Sequence, residues 1–229
     1  IDALCSDTGR WHESVLEVDS LIGSIRRWAS DAPALLREPA PRPAGPPHIE
    51  LRQAFMPYAL VGAISPWNFP LLLAMIDAIP ALAAGCAVLV KPSEVTPRFV
   101  APLRAALAEV PVVQSVLALA IGGADSGAAL VGTVDLLCFT GSVRTGRRIG
   151  EECARRFIPA FLELGGKDAA IVLSDADIPR AARAIAWGGF VNGGQSCMSI
   201  ERVYVEEPVA DQFIAALVAN QATYRIGVK

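Results

Sequence analysis

The sequence predicts an α/β fold built on a doubly wound, parallel sheet. Three observations predict it. Short apolar runs recur at 58–64, 86–90, 116–121, 135–139, 159–163 and 169–173. Near-continuous apolar strands are those buried on both faces of a parallel sheet. Helical stretches at 70–84, 97–109, 125–131 and 142–156 fall between many of these runs, and strand–helix alternation builds parallel crossover units. Several runs also end in short polar or glycine-bearing turns, and such sheets bind ligands beyond the carboxyl ends of their strands.

The elements follow in order. Residues 10–30 form an amphipathic pattern, with Val15, Val18, Ile22 and Ile25 near helical spacing. The next stretch, "APALLREPAPRPAGPP" at 32–47, has six prolines. That composition predicts an extended surface connector with no helix or central strand. "HIELRQAF" and "YALVGAIS" then alternate as strand candidates. After the regular strand–helix region, a helix at 177–190 precedes a loop that carries Cys197. A strand at 202–206 and a helix at 208–222 close the pattern.

Bulk properties narrow the class. The chain has 229 residues, a net charge of −3 and only three lysines, Lys91, Lys167 and Lys229. With no basic face, nucleic acid is not an expected partner. A mean hydropathy of +0.42 raises the question of a membrane span. The longest apolar run, "LLLAMIDAIPALAAGCAVLV", is broken by Asp77, Pro80 and Gly85, so buried strands account for it better. No membrane attachment is expected. The five cysteines, Cys5, Cys86, Cys138, Cys153 and Cys197, are odd in number and lack C-x-x-C spacing. Neither a disulfide framework nor a metal site is expected, and a reducing cytoplasm is. No signal peptide pattern is visible.

The chemistry gathers at the strand ends. "SPWNFP" places Asn68 in a turn between Pro66 and Pro70, as either a loop residue or a rigidly held amide donor. "KPSE" brings Lys91 and Glu94 off a buried strand, as surface residues or as partners for ribose hydroxyls. In "FTGSVRTGRRIG", Gly141 permits a tight turn and Ser142 or Thr140 can cap the next helix, which is either an ordinary capped helix or one whose N-terminus holds a phosphate. In "LELGGK", Glu163 sits in apolar company as a general base or a solvent-facing edge residue.

Cys197, in "VNGGQSCMS", differs from the other four cysteines. They lie in apolar strand or helical patterns and read as small core residues. It lies in a glycine-bearing loop at a helix boundary, where its own N–H can help stabilise an oxyanion. Both histidines, His12 and His48, lie far upstream, which favours a carboxylate over an imidazole as the base that works with it.

Taken in order, "SPWNFP", "KPSE", "FTGS" with "TGRRIG", "LELGGK" and "GQSC" closely resemble the aldehyde dehydrogenase superfamily. The resemblance runs from about residue 55 onward and, more weakly, before it. It implies a Rossmann-like NAD-binding domain over 1–164 and the beginning of a catalytic domain over 165–229. It implies that Cys197 is the nucleophile, that Asn68 helps to hold the oxyanion, and that Glu163 activates the hydrolytic water. Lys91 and Glu94 would contact the adenine ribose, Ser142 the pyrophosphate with Gly141 at its turn, and Trp67 the cofactor site. Gly122 and Gly127 resemble glycines near the adenine end, and Phe69 and Met198 would line the aldehyde tunnel. The implied substrate is a small aldehyde and the implied cofactor is NAD, with NADP possible. Glu94 leans the choice to NAD, because it would repel a 2′-phosphate. Homodimers or homotetramers are expected of the whole enzyme, with the strand near 48–64 a candidate for pairing.

Two features depart from the family pattern. Asp77 stands where many members carry a lysine, which puts the proton path near the base in question. The chain is also about half the family's length and lacks the E-x-F-G-P segment. It is therefore expected to be a fragment, weakly active or inactive by itself. A non-catalytic dinucleotide-binding module and a cysteine acyl hydrolase are the rival readings.

Overall fold

The computed structural model describes residues 1–224; the last five residues of the domain predicted over 165–229 lie outside it. The chain divides into two compact units, Ile1–Glu163 and a second that begins at Leu164.

The first unit is organised around a five-stranded sheet. Its strands are β3 (Leu60–Ile64), β4 (Ala87–Lys91), β5 (Leu117–Leu119), β6 (Leu136–Gly141) and β7 (Ala160–Leu164). They lie side by side in the order β5-β4-β3-β6-β7. β3 pairs in parallel with both β4 and β6, and β4 pairs in parallel with β5. The chain thus enters the sheet at its centre, winds outward through β4 and β5, and returns to lay β6 and β7 on the other side. The reversal between β3 and β6 is a topological switch point, where such sheets open a ligand crevice at the strands' carboxyl ends.

Helices cover both faces, as near-continuous apolar strands require. Side chains of β3 and β6 alternate between two cores. Val61, Ala63, Leu136 and Cys138 join one; Leu60, Ile64 and Leu137 join the other. The first core is closed by α1 (Asp2–Thr8), α2 (Trp11–Leu35), α3 (Pro70–Met75), α4 (Ala78–Ala83) and α5 (Val100–Ala108). The second is closed by α7 (Ala124–Val131) and α8 (Val143–Arg155). A one-turn helix, α6 (Pro111–Gln114), leads into β5.

Four expectations need correction. The predicted helix 70–84 is two short helices, α3 and α4. Pro80 has no N–H for the Ile76 carbonyl and its ring crowds that group, so one continuous helix is unfavourable. Helix α2 runs into the predicted connector and ends at Leu35, with Pro33 inside its last turn. So late in the helix, Pro33 costs only the bond to Ala29. The buried face of α2 is Ser14, Glu17, Leu21 and Ala32, whereas Ile22 and Ile25 are exposed. The apolar stripe drawn through Val15 and Val18 is rotated from the true face, because two of the inward positions hold Ser and Glu. Finally, "HIELRQAF" yields only the two-residue β2 (Glu50–Leu51), paired antiparallel with β1 (Arg42–Pro43).

The second unit pairs β8 (Asp168–Val172) in parallel with β9 (Ile200–Val205). Helices α9 (Ile178–Phe190) and α10 (Ala210–Gln221) pack with them around Val172, Ile178, Ala182 and Phe213. Among the described residues, no helix is long and apolar enough to cross a membrane.

Candidate active site

The loop after β3 carries Trp67, Asn68 and Phe69, and three ties hold it. The Ser65 amide donates to the Lys91 carbonyl at 3.1 Å. The Thr96 hydroxyl donates to the Trp67 carbonyl at 3.2 Å. Past Asn68, the amides of Leu71 and Leu72 donate to a single carboxylate oxygen of Glu17, at 2.8 and 3.0 Å. Asn68 itself is half-buried. Phe69 is the N-cap residue of α3, and the Arg10 guanidinium lies 5.5 Å above its ring. Trp67 is 43% exposed.

At the end of β4, Lys91 is buried, not a surface group. Its Nζ donates to the Pro92 carbonyl at 3.1 Å and to Glu94 Oε2 at 3.3 Å. Glu94 is exposed. Its own backbone amide, and then Lys91, hold its carboxyl below the usual carboxylate range. A buried cation and an exposed carboxylate thus stand together at the carboxyl end of β4. Gly127, on α7, lies against Ile64 and the aliphatic stem of Lys91, so that a Cβ there would sit 3.7 Å from Lys91 Cδ. Gly122 lets the start of α7 come close, because its Cβ would lie 2.0 Å from Ser126 Oγ.

Ser142 is the N-cap of α8, and its hydroxyl accepts from the Thr145 amide at 3.3 Å. The remaining first-turn amides and the positive end of a 13-residue helix make an anion-binding feature at the switch point. Gly141 corrects one expectation. It is the last residue of β6, and it is not among the glycines with positive φ. Glycine is needed there for space, since a Cβ would lie 2.6 Å from the Phe139 ring.

Glu163 is exposed on β7, so the apolar surround inferred from its leucine neighbours is not built around it. Its negative charge reaches Asp77, at the break between α3 and α4. Burial first, and then Glu163, push the Asp77 carboxyl up from its ordinary value.

The second unit carries Cys197 and Met198. Before them the backbone makes a left-handed turn, with positive φ at Asn192, Gly193 and Gly194. Reciprocal bonds lock it: Asn192 Nδ2 donates to the Gln195 carbonyl at 2.9 Å, and Gln195 Nε2 donates to the Asn192 carbonyl at 3.1 Å. Ser199 ties the far side through its hydroxyl to the Gly189 carbonyl at 3.2 Å. Cys197 is therefore an exposed thiol on a braced loop, and Met198 is 74% exposed. No helix starts at Cys197, contrary to the boundary expected there. The loop runs directly into β9. Cys86, Cys138 and Cys153 are buried and Cys5 is half-buried.

Asn68, Trp67, Lys91, Glu94, Ser142, Gly141, Gly122 and Gly127 thus all stand at the carboxyl ends of β3 to β6, within the first unit. Glu163 ends that unit on β7. Sequence reasoning missed Glu17 and Arg10. The available signal was an acid on the inward face of α2, in register with Leu21. Among the described residues, no group of three or more His, Cys, Asp or Glu could hold a metal.

Known proteins agree with this architecture. A solved structure from Anabaena variabilis, named for the aldehyde dehydrogenase PutA, is 55% identical. It superposes with a TM-score of 0.95, over 98% of this chain and 48% of that one. Betaine aldehyde dehydrogenase from Staphylococcus aureus, solved in complex with NAD+, is 31% identical. Its TM-score is 0.91, over 99% of this chain and 45% of that one. Geranial dehydrogenase of Castellaniella defragrans is 40% identical over 93% of this chain and 44% of its own length. The chain therefore spans somewhat under half the length of these relatives. The sequence model of the aldehyde dehydrogenase family matches residues 1–229, and so this chain belongs to the aldehyde dehydrogenase family.

Proposed function

We propose that the protein to which this chain belongs oxidises an aldehyde to a carboxylic acid with NAD+, NADP+ being the second choice. The observation that carries the reading is the crevice at the β3–β6 switch point. It gathers an amide side chain, a cation–carboxylate pair and a capped helix N-terminus at the ends of adjoining strands. The relative solved with NAD+ supports the cofactor. The residues present fit a dinucleotide. The α8 N-terminus and Ser142 would hold the pyrophosphate, and Lys91 and Glu94 the adenine ribose. Gly122 and Gly127 keep the adenine end open, and Trp67 walls the site. Glu94 disfavours a 2′-phosphate by charge. When bound, the nicotinamide accepts the hydride.

The chain's own residues do the rest. Cys197, as thiolate, attacks the aldehyde carbon. The carbonyl oxygen becomes an oxyanion, held by the Asn68 amide and the Cys197 N–H. Loss of hydride from that carbon leaves a thioester on Cys197. Glu163, exposed to solvent, takes a proton from water, and the resulting hydroxide cleaves the thioester to free acid and thiol. Phe69 and Met198 line the approach of the aldehyde. The second unit is, on this reading, the beginning of the catalytic domain. Assembly into homodimers or homotetramers, with the segment near 48–64 as a contact, completes the proposal.

The test is steady-state turnover of the intact protein across an aldehyde panel, with NAD+ and NADP+. Removing one oxyanion donor typically costs about 10²–10³ in kcat, so Asn68→Ala should lower kcat by that factor, and Cys197→Ala should abolish NADH formation. An Asn68→Ala kcat within about threefold of wild type, far short of that loss, would remove Asn68 from the site.

A further inference from the structure

We propose that Glu17, on α2, is a positioning residue for the Asn68 amide. This rests on the reading of Asn68 as an oxyanion donor. α3 has no cap of its own: Phe69 occupies the N-cap position, and no side-chain cap bond is made there. The first free amides of the helix, on Leu71 and Leu72, both turn to one oxygen of Glu17. That oxygen comes from another helix, 54 and 55 residues away in sequence. The Glu17 side chain is fully buried, and its second oxygen faces Arg10 at 3.8 Å. Arg10 in turn lies over Phe69, the residue directly after Asn68. On the other side of Asn68, Thr96 holds the Trp67 carbonyl.

Asn68 therefore sits between two anchors, one from the β4 end and one from α2. A buried acid aimed at two backbone amides is an expensive way to cap a six-residue helix. A buried amide left without an acceptor carries its full desolvation penalty, and both bonds are made by the one carboxylate oxygen. What the arrangement fixes is distance. The acceptor oxygen sets how far α3, and the turn that leads into it, stand from α2. An oxyanion donor works only within hydrogen-bond reach of the developing charge, and a misplacement of about 1 Å can cost on the order of 10²-fold.

Two substitutions in the intact protein separate position from charge. Glu17→Asp keeps the charge but draws the acceptor back by one methylene. Glu17→Gln keeps an acceptor at the original reach and removes the charge. The inference expects E17D to lower kcat by about 10- to 100-fold with little change in aldehyde KM, and E17Q to recover most of that loss. In the Asn68→Ala background, E17D should cost no further kcat. If E17D turns over as wild type, or if E17Q loses as much kcat as E17D, the ion pair with Arg10 or fold stability alone explains Glu17 and the inference is overturned. If Asn68→Ala alone leaves kcat intact, the reading of Asn68 falls instead, which distinguishes the two failures.

Discussion

Each thiol in this chain takes its character from its surroundings. Cys138 lies in β6 under α3 and α4. Burial first, then the charge of Asp77, push its thiol up to about 12. Cys197 stands exposed on a loop braced by Asn192 and Gln195. Since the thiolate is the reactive form, iodoacetamide at pH 8 should label Cys197 and spare Cys138, as read by peptide mass spectrometry. Equal labelling of Cys138 in the folded protein would contradict the burial argument. The sign of the pH effect follows from the same shift. The folded value of Cys138 lies above its ordinary 9.0. Its contribution to stability is therefore whole below pH 9 and falls as pH climbs toward 12. At this scale much was legible in the sequence. Cys197 stood out because glycines and polar residues surround it where a core cysteine has Val or Leu. Lys91 and Glu94 were legible as a pair but not as a buried cation with its partner. Glu163 misled, since leucines on either side of it in sequence do not enclose it on a half-exposed edge strand.

Between elements, packing is set by a few close approaches. Gly62 in β3 is one. A Cβ there would meet Leu130 Cδ2 at 2.5 Å and Leu137 Cδ1 at 2.9 Å. Glycine thus lets α7 seat directly on the central strand. Overpacking of this kind costs about 1–3 kcal/mol, so Gly62→Val should lower the stability read from urea unfolding by that amount. Leu130→Ala, introduced with it, should recover part of the loss. If the double variant is no more stable than the sum of the singles predicts, Leu130 is not the obstacle. The strands were readable because each is a short apolar run buried on both faces. The helices were less so. The pattern over 70–84 is apolar enough for one helix, and only the backbone chemistry of Pro80 divides it. Pro33 had the opposite effect, suggesting a break where the last turn of α2 tolerates it. The inward face of α2 was hidden because Glu17 and Ser14 hold positions that a hydrophobic count assigns to solvent.

Over the whole chain, the winding order places the site, and long-range ties hold its loops in place. The N-terminal helices do this with acids. Glu17 reaches α3, while Asp7 on α1 accepts from the Arg98 amide at 2.8 Å and from the Arg98 guanidinium. The Asp7 side chain is only 4% exposed but that of Arg98 is 64% exposed, so the tie is worth at most about 1 kcal/mol. Asp7→Ala should therefore lower Tm while leaving kcat within about twofold of wild type, a change worth under 1 kcal/mol. A kcat loss as large as that of Asn68→Ala would show that α1 acts on the chemistry. These ties could not be read from the sequence, since nothing local marks residues 7 and 98 as partners. The family was legible because five short segments that together resemble it occur in order. The central claim is covalent catalysis through Cys197 with Glu163 as the base for hydrolysis. Its most direct test is rapid-quench kinetics on Glu163→Gln in the intact protein with NAD+ and aldehyde. The account predicts one equivalent of NADH per Cys197, then a stall, with the acyl mass on the Cys197 peptide. Sustained wild-type turnover, or NADH formed with no acyl group on Cys197, would contradict it.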